Sequence, residues 1–70
     1  MEIRKAIKYV YKNLPDKFHG YDLARKAELL VGKSCDGSII REFHKLRNDY
    51  PKIYNCECID KQKSIYKKLS

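Results

Sequence analysis

The chain has 70 residues, about half of an ordinary domain, so it forms at most one small domain. A chain of this size buries only about 60% of the surface its unfolded form exposes, which excludes the thick walls of a deep, enclosed active site. Lys and Arg number 16 against 9 Asp and Glu, a net charge of +7, and a hydrophobic content of 43% supports a packed core and excludes disorder throughout.

No apolar run approaches the ~20 residues needed to span a bilayer, and none resembles a signal peptide. A soluble, cytoplasmic protein with no membrane partner is expected. The odd number of cysteines, Cys35, Cys56 and Cys58, argues against a disulfide framework and for reduced thiols.

In chain order, Ile3, Ile7, Val10 and Leu14 fall at i, i+4, i+7 and i+11, which predicts a first helix over residues 2–14. Lys5, Lys8, Tyr9 and Lys12 lie on its other faces, and Leu14, preceding Pro15, ends it. Tyr9 and Tyr11 sit off the main stripe, as half-buried amphipathic residues or as part of a protein interface. Phe18-His19-Gly20-Tyr21 reads as a short extended piece with a turn. Asp22 then caps a second helix over 22–31, with Leu23, Ala27, Leu30 and Val31 inward and Gly32 as its C-cap.

Ser34 or Asp36 offers an N-cap for a third helix over 37–48, in which Ile39, Phe43 and Leu46 continue to Tyr50 as one buried stripe. Phe18 and Tyr21 are expected to join that core. Tyr50-Pro51 closes the helix, and the period then switches to two. Residues 53–59 and 63–69 form two strands around Asp60-Lys61-Gln62. A two-stranded hairpin is barely stable alone, so it must lean on the helices. The fold class predicted is α+β, a three-helix core with a C-terminal two-stranded β-hairpin, in a single domain over 1–70.

This order resembles the winged helix-turn-helix family over nearly the whole chain. Phe18-His19-Gly20-Tyr21-Asp22-Leu23-Ala24 looks like the short strand leading into helix 2. Residues 36–47 look like a recognition helix, and Ile53-Tyr54 with Lys63-Ser64-Ile65-Tyr66 look like the strands of the wing. The segment from Val31 to Cys35 is longer than the tight turn of the simplest members, and a single wing is expected. The resemblance implies a DNA-binding protein, a transcriptional regulator or an architectural or recombination accessory factor of the phage or mobile-element type. It also leaves room for a protein–protein adaptor that does not bind DNA.

With the core stripe of helix 3 turned inward, Arg41, His44, Lys45 and Asn48 face out, and Ser38 sits at the edge. Arg41 suits a bidentate contact to guanine and Asn48 one to adenine in the major groove of double-stranded DNA. Lys45, Ser38 and the helix N-terminus suit phosphates. Lys61 and Lys63 flank the hairpin turn, Lys67 and Lys68 follow, and Lys33 precedes helix 3. Such lysines either hold the phosphate backbone or protect a strand edge from aggregation. The net charge is +3 over residues 1–18, zero over 19–32 and +2 over each of 33–52 and 53–70. A spread of this kind favours general phosphate affinity, for duplex DNA first and RNA as the alternative.

Cys56 and Cys58 alternate onto one face of a strand, where thiols pack as small apolar groups, so zinc held by Cys35, Cys56, Cys58, His19 or His44 is not expected. Ser38 and His44 lie nearly two helical turns apart and cannot form a nucleophile–base pair. No glycine-rich phosphate loop or paired carboxylates appear. Hence no enzyme activity, no cofactor and no small-molecule substrate are expected. One such module covers about 600–1,000 Å² of DNA, so tight binding calls for a homodimer or a partner protein.

Overall fold

The computed structural model describes residues 1–33 and 37–69. The first apolar stripe folds as α1 (Ile3–Asn13), which ends where Leu14 turns extended ahead of Pro15. Its inner face is wider than the expected one. Ile7, Val10 and Leu14 are buried and Ile3 is half-buried, but Ala6 and Tyr11 are buried too. Tyr11 lies about 60° off the stripe at 100° per residue, and only a second neighbour on that flank could cover it. That neighbour is the aromatic cluster: Tyr11 sits 5.9 Å from Phe18, 6.0 Å from Phe43 and 5.1 Å from Tyr54, ring centre to ring centre. Tyr9, on the far side, is exposed.

The short extended piece becomes β1 (Lys17–His19), and the chain passes directly into α2 (Gly20–Val31). This corrects the second helix. It starts two residues early, His19 stands at the N-cap, and Asp22 lies in the first turn, where its charge suits the helix dipole. Tyr21 is 58% exposed and lies outside the core. Tyr21 is the second residue of α2, about 160° around the helix from the buried Leu23, so it faces away from the core. Gly20 permits the direct strand-to-helix passage, because a Cβ there would meet Tyr66 Cε1 at 3.1 Å. The helix buries Leu23 and Ala27 and ends as expected at Gly32, whose φ of 88° is left-handed.

The third helix, α3 (Ser38–Asp49), has Gly37 at its N-cap. Ser34, Cys35 and Asp36, with the capping role assigned to the first or third of them, lie outside the described residues. Ile39, Phe43 and Leu46 are buried as the stripe predicts. Tyr50 is not: it is the C-cap, 49% exposed, because the helix stops there. The chain turns back instead, with the Ile53 and Tyr54 amides donating to the Tyr50 carbonyl at 3.1 and 3.0 Å, and Tyr54 fills the buried place. Ile53 and Tyr54 therefore belong to a turn and not to a wing strand.

The strands are shorter than the alternation suggests, β2 (Cys56–Asp60) and β3 (Ile65–Lys68), joined by a turn over 61–64. The sheet has three strands in the order β1-β3-β2, all antiparallel, so the predicted two-stranded hairpin is corrected by one strand. Phe18 pairs with Tyr66 in register and their rings stack at 5.5 Å. Phe43 is fully buried among Tyr11, Phe18, Tyr54 and Tyr66, where the three helices meet the sheet. Three helices and a small antiparallel sheet make an α+β fold that is compatible with a winged helix.

Candidate nucleic-acid interface

Burial of Ile39, Phe43 and Leu46 fixes the rotation of α3, and the 100° step then sets the opposite side. Arg41, His44, Lys45 and Asn48 occupy that outward arc and all four are exposed; Ser38 is half-buried at its edge. Glu42 and Asp49 lie just past the Lys45 and Ser38 edge of this arc, on the side toward Arg4 of α1. The Arg41 guanidinium donates a long bond to Ser38 Oγ, 3.4 Å. Lys45 Nζ lies 3.4 Å from Glu42 Oε1, a solvent-screened surface pair that leaves the ammonium free to exchange partners.

Glu42 does more than accept from Lys45. Arg4 Nε on α1 donates to Glu42 Oε2 at 3.0 Å, tying α1 to α3. That bond holds the Glu42 carboxyl below its usual range and raises the Arg4 guanidinium. His44 and Asn48 share a shallow polar groove of about 240 Å³ with Asn55, just before β2. Arg47, one helical step away, is spent on the fold. Its guanidinium donates to the Cys56 carbonyl at 2.9 Å and lies over the rings of Phe43 and Tyr66 at 5.8 and 5.3 Å.

Lys61 and Lys63 are exposed in the β2–β3 turn. The turn is built by Asp60, whose side chain accepts from the Lys63 amide at 3.1 Å, and by Ser64 at φ 52°. It is tethered to the end of β1, because the Gly20 amide donates to the Ser64 carbonyl at 2.7 Å. His19 Nδ1 also lies 3.1 Å from the Lys63 carbonyl oxygen. Lys33 is exposed beyond the α2 C-cap, and Lys67 is exposed beside Glu57 and Lys17 across the sheet. Lys68 is different. Its ammonium donates to the Tyr11 and Leu14 carbonyls at 2.8 and 2.7 Å and sits 4.7 Å from the Tyr11 ring centre, so it caps the end of α1.

Cys56 is buried and Cys58 half-buried on the core side of β2, the packing role expected for them. Burial pushes the Cys56 thiol up. Among the described residues no three His, Cys, Asp or Glu side chains converge as a metal site, and no helix is long and apolar enough to cross a membrane. Of the residues singled out from sequence, the structure groups Ser38, Arg41, His44, Lys45 and Asn48 on one arc and puts Lys61 and Lys63 together on the turn. What sequence reasoning missed was the engagement of Arg4, Arg47 and Lys68, whose partners lie 38, 9 and at least 54 residues away. Comparison with family models, with curated proteins and with solved structures finds no match.

Proposed function

We propose that this chain is a small, non-catalytic winged helix-turn-helix DNA-binding protein, serving as a transcriptional regulator or as an architectural factor in recombination. The observation that carries the reading is the outward arc of α3, four exposed polar or cationic side chains without a carboxylate among them. The element order supports it: β1 pairs with β3, and Arg47 of α3 donates to the Cys56 carbonyl of β2, so that the hairpin is tied both to β1 and to α3. In this reading Arg41 and Asn48 meet base edges in the major groove, and Lys45, Ser38 and His44 flank them. Lys61 and Lys63 hold the phosphate backbone from the hairpin turn, and Lys33 adds a further phosphate contact.

The test is a salt titration of binding to random duplex DNA, for wild type and for Arg41→Ala/Lys45→Ala. Each phosphate contact contributes about −0.9 to the slope of log K against log salt. The expected result is a clear slope in wild type and a weaker slope with lower affinity in the double variant. On a cognate site Arg41→Ala alone should cost about 1–3 kcal/mol. No binding at low salt, or equal binding by wild type and double variant, refutes the reading. Stronger binding to RNA in direct competition refutes its DNA preference.

A further inference from the structure

A second surface lies on the other side of α3. Leu46 and Tyr50 leave the helix about 140–180° of rotation from Arg41 and Asn48, on the side that faces α1. With Ile53 and Tyr54 from the following turn they floor an open groove of about 350 Å³. Tyr50 and Ile53 are 49% and 52% exposed, an aromatic and a branched aliphatic side chain standing half in water on adjoining positions of one concave surface. A second shallow hollow, lined by Asp49, Pro51 and Lys52 as well, shares both residues.

The rim is cationic. Arg4, Lys5 and Lys8 line it from α1, and no carboxylate is among the groove's lining residues. The acids at its Arg4 end are Glu42 and Asp49 on α3 and Glu2 just ahead of α1. Arg4 is bound to Glu42 and also feels Asp49, which leaves that end of the rim balanced. Lys5 and Lys8 are exposed one helical turn apart, and among the described residues neither has an ion-pair partner.

We propose that this groove docks an acidic segment of a partner protein, one in which bulky apolar side chains alternate with aspartate or glutamate. The apolar side chains would cover Tyr50 and Ile53, supplying the desolvated anchor that such contacts need. The carboxylates would meet Lys5 and Lys8 at the rim, setting partner choice and association rate. A phosphate backbone would satisfy the lysines and leave the apolar floor wet, whereas an uncharged apolar partner would strand two ammonium groups at the interface edge. The groove thus matches one chemistry on both of its features. It is independent of the DNA reading, since it shares none of the residues assigned to DNA.

The probe is a short fluorescein-labelled peptide in which Asp and Glu alternate with Leu and Phe, titrated into the full chain by anisotropy and mapped by amide chemical shifts. Expected are a Kd on the order of 10 μM at low salt and shifts at Lys5, Lys8, Leu46, Tyr50 and Ile53. Lys5→Glu/Lys8→Glu should weaken binding about tenfold or more, Ile53→Asp should do the same, and Arg41→Ala/Lys45→Ala should not. A peptide with Ser replacing Leu and Phe should bind at least about tenfold more weakly. The proposal is overturned if wild type does not bind or if Lys5→Glu/Lys8→Glu binds unchanged. It is equally overturned if the shifts fall on Arg41, Lys45 and Asn48, or if single-stranded DNA produces the groove shifts more strongly than the peptide.

Discussion

Lys68 and Lys67 are neighbours on β3 with opposite fates, and replacing each by Met separates a structural lysine from a surface one. Lys67 is exposed. The Lys68 ammonium is held by two carbonyls at the end of α1 and by the Tyr11 ring. Hydrogen bonds involving a charged group are worth about 1.5–3 kcal/mol each, and an exposed cation–π contact about 0.5–1 kcal/mol. Lys68 is only half-buried, so water replaces part of what the carbonyls lose, and the net expected cost of Lys68→Met is about 2 kcal/mol. A domain of 70 residues has roughly 3.5–10 kcal/mol in all, which makes this a large share. Equilibrium urea unfolding followed by circular dichroism should show that loss, with Tm lower by about 8–16 °C, against less than about 0.5 kcal/mol for Lys67→Met. Equal stability of the two variants would refute the assignment of Lys68 as the cap of α1.

Further outcomes follow from the core and its protonation. Phe43→Ala, at the fully buried centre of the aromatic cluster, should cost about 3–5 kcal/mol and leave the chain largely unfolded by circular dichroism; a stable, folded variant would mean that the rotation of α3 is misassigned. Gly20→Ala should destabilise by about 1 kcal/mol, measured by thermal unfolding, because its Cβ presses on the buried Tyr66 ring. Burial pushes Tyr11 up to about 12 and also raises Tyr54, Tyr66 and Cys56 above their ordinary values of 10.0 and 9.0. A raised folded pKa favours the neutral form, so this stability is complete below those ordinary values and is lost as pH climbs through the folded ones. Tm should therefore fall steeply between about pH 9 and 12, less steeply in Tyr11→Phe, and a Tm constant to about pH 11 would contradict it.

Helical phase was legible in the sequence wherever a stripe had a partner. Ile39, Phe43 and Leu46 fixed the rotation of α3, and with it the exposed arc of Arg41, His44, Lys45 and Asn48, because periodicity of 3.6 is a local property of the chain. The Pro15 stop and the Gly32 cap were legible for the same reason, each being a restriction on one residue's own backbone.

What the sequence could not supply was anything that depends on a neighbour distant in the chain. Tyr11 is buried because Phe18, Phe43, the turn residue Tyr54 and Lys68, up to 57 positions away, close over its flank, and Tyr50 is exposed because α3 ends at it and Tyr54 takes the buried place. β1 is only three residues long and becomes a strand by borrowing hydrogen-bond partners from β3, which local alternation cannot announce. Arg4, Arg47 and Lys68 look like any other cations in the sequence, and only tertiary packing sets a carboxylate or a carbonyl in front of each. The sequence thus determined which faces exist, through backbone periodicity and single-residue constraints. The tertiary structure decided which faces are covered and which charges remain available, because burial and pairing are properties of contacts and not of residues.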